Sequence, residues 1–159
     1  MTDRKTEAIF EILGLTYDDF RPEDTVFVAG SGLRQKFERD IAPRVSEVFA
    51  CDPSLAVGSG WRVWFNNSDP DGLNAVTYVE TDDREDLITA EEFALLRKVD
   101  MPNNLHIITD KIPPIKMPDD SVDKGFDVIG ASNYMPVEDL EEYYREIFRV
   151  LRPGGEFRL

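Results

Sequence analysis

The chain has one cysteine, Cys51, and one histidine, His106, in 159 residues. A single cysteine excludes an internal disulfide and fits a cytoplasmic setting. Together the two cannot build a Cys/His zinc site within one chain, so no metal centre is expected. A Ser-His-Asp or Cys-His arrangement would have to use His106. That residue sits in the apolar run 105–109 and reads as a structural histidine in a buried strand. Basic residues are also scarce: 18 Lys and Arg face 32 Asp and Glu, a formal charge of −14. An autonomous nucleic-acid binder needs a basic footprint, so nucleic acid is not an expected partner. No apolar run approaches the ~20 residues of a membrane span. The start, MTDRKTEAIF, lacks the apolar core of a secretory signal. No membrane association is expected.

What is present suits one folded domain. Apolar residues make up 42% of the chain, enough for a core at this length. Ile9, Phe10, Ile12 and Leu13 recur at helical phase over 3–13, and Gly14 stops them. The apolar run Thr25–Ala29 reads as a first core strand. Gly30, Ser31 and Gly32 follow at once, and 33–41 reads as a helix. Strand, glycine turn and helix start make a nucleotide-receptive unit, because glycine lets backbone approach a ligand and first-turn amides point outward. A second strand covers 45–51. Asp52 follows it, 20 residues after Gly32, at about the spacing where a nucleotide-binding fold sets an acid against ribose hydroxyls.

Residues 58–83 read as an inserted hairpin within a single domain 1–159. Its strands are 61–65 and 75–79, around the turn signal Ser68 to Gly72. Thr89 with Glu92 forms a capping-box pattern opening a helix over 89–99. A third core strand follows at 105–109, then a proline-rich loop over 110–125 held by ring constraint. The apolar run 127–131 reads as a fourth strand. Val137, Leu140, Tyr144, Ile147 and Leu151 then mark a helix stripe, with Glu141 placed to pair with Arg145. Pro153, Gly154 and Gly155 end it, and 156–159 begins another strand. Alternating strands and helices imply an α/β, Rossmann-like, mostly parallel sheet with helices on both faces.

The stretch 126–159, and EIFRVLRPGGEFRL within it above all, resembles the fourth strand, helix, Pro-Gly-Gly turn and fifth strand of class I S-adenosylmethionine-dependent methyltransferases. VFVAGSG, residues 26–32, occupies the place of that family's glycine-rich first motif, with Gly30 and Gly32 matching two of its glycines. The motif is degenerate here. The acid usual near the end of the first strand falls at Val28 or Ala29, and the third glycine falls near Arg34.

The resemblance implies S-adenosylmethionine as cofactor, held by Gly30, Ser31, Gly32, Asp52, Asp110, Lys111 and Ser132, with a small-molecule methyl acceptor. Asp52 would meet the ribose and Asp110 the adenine amino group. The general base is left unassigned among Tyr134, Glu138 and His106. The family sheet continues through two further strands, so the resemblance implies an open edge at 156–159, to be covered by the inserted hairpin, a partner chain or another copy in a homo-oligomer, unless the sequence is a fragment. The degenerate motif and short sheet also suit a second reading, a non-catalytic methyltransferase-like interaction or assembly module. A nicotinamide-nucleotide enzyme is a third, because glycine turn and acid spacing overlap.

Overall fold

The computed structural model describes residues 5–32, 35–53, 62–64, 87–89, 101–127 and 130–159. Five strands form one parallel sheet: β1 (Thr25–Ala29), β2 (Glu47–Cys51), β5 (Leu105–Ile108), β6 (Val122–Phe126) and β7 (Leu151–Arg158). Their order is β5-β2-β1-β6-β7. In register, Val26 of β1 lies between Val48 of β2 and Lys124 of β6. The chain builds outward on one side of β1, then returns to its other side with β6. That reversal makes the boundary between β1 and β6 the topological switch point, where open parallel sheets bind ligands beyond the strands' carboxyl ends.

Alternation along β1 splits the core into two layers. Val26 and Val28 point to one face, with Val48, Ala50 and Phe126, under helices α1 (Thr6–Leu13) and α2 (Lys36–Ile41). Phe27 and Ala29 point to the other, with Cys51 and Val122, under helix α4 (Val137–Val150). The expected α/β sheet with helices on both faces is the fold observed. α1 ends at Gly14, whose φ of 61° is left-handed and costs glycine little. The Thr6 hydroxyl joins α1 to α2 by donating to the Asp40 carboxylate.

Several elements depart from the sequence pattern. β6 occupies Val122–Phe126 instead of 127–131, and Ala131–Tyr134 is a helical turn, α3. The β6 sequence, VDKGF, carries two charges that local pattern reads as loop. Asp123 accepts from Thr25 N at 2.7 Å and from Arg152, while Lys124 pairs with Glu156 at 3.0 Å, so both charges are satisfied. β7 begins at Leu151, not Glu156, and pairs with Val122 before a register shift lets 152–155 loop out.

α4 buries Tyr143, Ile147 and Val150, whereas Val137 is exposed, so the buried stripe is turned from the expected one. The Glu141–Arg145 pair does form, at 2.8 Å. Helix α2 starts at Lys36, with Gln35 as its left-handed cap residue, and residues 33 and 34 lie outside the described residues. Strand β3 (Arg62–Trp64) pairs antiparallel with β4 (Leu87–Thr89). Thr89 therefore closes a strand. The expected hairpin strand 75–79 and the rest of the expected helix, 90–99, lie outside the described residues.

Candidate functional site

The glycine turn after β1 is folded inward. Gly30 and Gly32 have φ of 69° and 76°, in the left-handed region that favours glycine. The amides of Gly30 and Ser31 both donate to the Cys51 carbonyl, at 2.8 and 3.1 Å. The Gly32 amide donates to Asp52 Oδ2 at 2.7 Å. Asp52 is 1% exposed, and its own amide donates to the Ile108 carbonyl at 2.9 Å. The carboxyl ends of β1, β2 and β5 are thus laced together, and three turn amides are spent inside the protein. Cys51 lies beneath this lacing. Burial, then the charges of Asp52 and Asp110, push its thiol pKa up to about 12.

Beyond β6 the organising group is Asp127, which the sequence reading assigned to a strand. It is buried, and its carboxylate accepts from Gly130 N, Ser132 N and the Tyr143 hydroxyl, each at 2.9 Å. Burial, followed by the Asp127 charge and hydrogen bond, raises the Tyr143 pKa, so the phenol stays protonated and donates. The signal for this turn was an acid three residues before a glycine and five before a serine. A side-chain oxygen reaching nearby amides is how aspartate closes a loop.

The two turns meet. A Cβ placed on Gly30 would lie 2.5 Å from Gly130 Cα, and one on Gly130 would lie 2.4 Å from the Ala29 carbonyl oxygen. No side chain fits at either position without backbone movement.

Around this contact lies a cavity of about 380 Å³, within the size range of small-molecule sites. Gly30 and Gly130 contribute from the two turns, and Asp52 and Pro53 from the end of β2. Lys111 and Ile112 line it from the loop after β5, and Ala131 with Tyr134, Met135 and Pro136 from the α3 side. The loop behind Lys111 is clasped by α4: Arg149 donates to the carbonyls of Ile115 and Met117 at 2.7 and 2.9 Å, and Glu146 accepts from Ile115 N at 3.0 Å. These hydrogen bonds, more than proline rings, fix that wall.

Of the residues singled out in the sequence, Gly30, Asp52 and Lys111 line the cavity. Ser31, Gly32 and Ser132 sit in the turns beside it, with their amides directed to Cys51 and the two aspartates. Asp110, next to Lys111, is not among the lining residues; its side chain is exposed and paired with Lys116 at 2.7 Å. Of the three base candidates, Tyr134 lines the cavity. Glu138 is exposed on α4. His106 is exposed rather than buried, stacks on Phe49 with ring centroids 4.9 Å apart, and meets the Glu47 carboxylate. Among the described residues no cluster of three or more His, Cys, Asp or Glu is arranged to hold a metal ion. None of their helices is long and apolar enough to cross a membrane.

No family model matches the chain. No curated protein matches it either. Solved structures do. The phosphoethanolamine N-methyltransferase 1 of Haemonchus contortus, in complex with phosphoethanolamine and S-adenosylhomocysteine, aligns with a TM-score of 0.59 and 16% identity. The alignment covers 96% of this chain and 24% of that one. The YcgJ protein of Bacillus subtilis aligns at 0.57 and 17% identity, over 96% of this chain and 47% of its own. A Methanococcus maripaludis protein, described as a candidate S-adenosyl-L-methionine-dependent methyltransferase, aligns at 0.55 and 20% identity, over 96% and 51%. The chain spans about half or less of the length of these structures. At such identities the likeness is one of fold: a Rossmann-like fold of the kind found in S-adenosylmethionine-dependent methyltransferases.

Proposed function

We propose that this domain binds S-adenosylmethionine beyond the carboxyl ends of β1, β2 and β6 and serves methyl transfer to a small-molecule acceptor. The observation that carries the reading is the cavity at the switch point, where Gly30 and the buried Asp52 meet in a fold shared with methyltransferases.

The donor set fits such a ligand. A carboxylate at the end of β2, lining the cavity, is the kind of acceptor that suits a ribose diol. Pro53 and Ile112 offer apolar surface to a purine. The amides of residues 30–32 already donate to Cys51 and Asp52, so these three are not available to cradle a pyrophosphate. That favours a nucleoside without phosphates over a nicotinamide dinucleotide.

S-adenosylmethionine, when bound, supplies a methyl group already activated by its sulfonium, so the protein's task is placement. Gly30 and Gly130 bring two backbones within contact of one another, and both line the cavity. Asp127 holds Gly130 and Ser132, and through them the α3 wall. Tyr134, which lines the cavity and is 69% exposed, offers a hydroxyl to orient an acceptor by hydrogen bonding. Calorimetric titration with S-adenosylhomocysteine, S-adenosylmethionine and NAD tests the reading. Binding of the first two without the third supports it, and no heat with any of them removes it.

A further inference from the structure

The cavity's lining includes one basic side chain among the described residues. Lys111 is the one cation among the described residues lining it, and it has neither hydrogen bond nor ion pair with any described residue. The neighbouring acid, Asp110, pairs with Lys116 instead. Lys111 is exposed and shares the lining with the buried Asp52 carboxylate, and in a chain of net charge −14 an ammonium at a cavity is a local exception. The cavity's mouth has a second unusual feature. Tyr134 is 69% exposed and Val137 is 81% exposed, and Met135 and Pro136 lie between them in sequence. Four successive residues thus form an apolar lip beside the cavity, and a large apolar side chain left in water at a site is a mark of binding.

We propose that the methyl acceptor is an apolar small molecule bearing an anionic group, its body seated on the Tyr134–Val137 lip and its anion on Lys111. This rests on the reading of the cavity as a methyltransferase site, and it adds the acceptor's chemical class. The two features work together. The lip supplies affinity by removing apolar area from water, and the ammonium supplies selection, because it forms an ion-paired hydrogen bond with a carboxylate but only a weaker ion–dipole hydrogen bond with the neutral amide's carbonyl. A cationic acceptor meets a like charge at Lys111.

The test uses the intact chain, with 4-phenylbutyrate and 4-phenylbutyramide as a matched pair, each titrated with and without saturating S-adenosylhomocysteine. The carboxylate is expected to bind about tenfold more tightly than the amide, near a 1.4 kcal/mol difference. Lys111→Gln should abolish that preference while leaving the amide's affinity unchanged. Tyr134→Ala should weaken both probes equally. Equal binding of the two probes by the native chain, a preference that survives Lys111→Gln, or no binding of either overturns the proposal. The S-adenosylhomocysteine arm separates the two claims. Cofactor binding without a carboxylate preference removes only the acceptor class. A carboxylate preference without cofactor binding removes the methyltransferase reading and leaves a site for apolar anions.

Discussion

Gly30 and Gly130 stand back to back across the ends of β1 and β6, so close that a Cβ on Gly30 would lie 2.5 Å from the Cα of its counterpart. The contact is backbone against backbone, and no flexible side chain can yield. Gly30→Ala also faces a φ of 69° that alanine rarely adopts. We expect this substitution to cost about 3 kcal/mol and Gly130→Ala about 2 kcal/mol in urea denaturation. Changes below about 0.5 kcal/mol would show that the turns can move apart.

Asp127 organises the second turn through three donors. Asp127→Ala strands two amides and a buried phenol, and is expected to cost about 3 kcal/mol. Tyr143→Phe removes one donor and should cost about 1 kcal/mol. Because the two share a hydrogen bond, the double variant should lose less than the sum of the singles. Strict additivity in a double-mutant cycle would contradict the shared bond.

The Cys51 thiol, buried and raised to about 12, should resist alkylation in the folded protein at pH 8 and react fully in denaturant. A group raised on folding contributes stability that is complete below its unfolded pKa and lost as pH rises through the folded value. Cys51 should therefore erode stability from about pH 8.5 toward pH 12. Cys51→Ala should flatten that alkaline slope. Rapid labelling of the native chain by a thiol reagent would mean the lacing of Gly30, Ser31 and Cys51 opens readily.

Glu146 titrates in the opposite sense. Its hydrogen bond from Arg149 lowers its pKa against a burial effect that raises it, and the Ile115 amide lowers it further. The stabilisation is present above the ordinary carboxyl pKa of about 4.3 and is lost as pH falls through the lower folded value. Glu146→Gln should cost about 1 kcal/mol at pH 7, and the gap from the native chain should close toward pH 3. A gap constant with pH would show that packing, not charge, makes the clasp on the loop behind Lys111.

Much of this architecture was legible in the chain, for identifiable reasons. β1 and β5 are short apolar runs, and Gly14 punctuates α1, so local pattern and tertiary structure agree there. β6 was misplaced because Asp123 and Lys124 interrupt it, and only their distant partners, Thr25, Arg152 and Glu156, explain how a sheet holds them. The run 127–131 looked more like a strand, and the same error hid Asp127. α4 shows the same limit: Phe148 is 76% exposed while Tyr143 is buried, a choice made by the sheet beneath and by Asp127. That Gly30 and Asp52 come together beyond the strand ends was legible because spacing along a nucleotide-binding fold is a local property, and both line the cavity, as does Lys111, which only the resemblance pointed to. Gly130 and the Tyr134 lip depend on where β6 ends, which local pattern did not reveal.

The central claim concerns the Asp52 carboxylate and the cavity it floors. Calorimetric titration of S-adenosylhomocysteine into the native chain and into Asp52→Asn, with urea denaturation of both, tests it most directly. The account predicts saturable binding by the native chain and at least about tenfold weaker binding by a variant that remains folded. No binding by the native chain, or equal affinity in the two proteins, would contradict it.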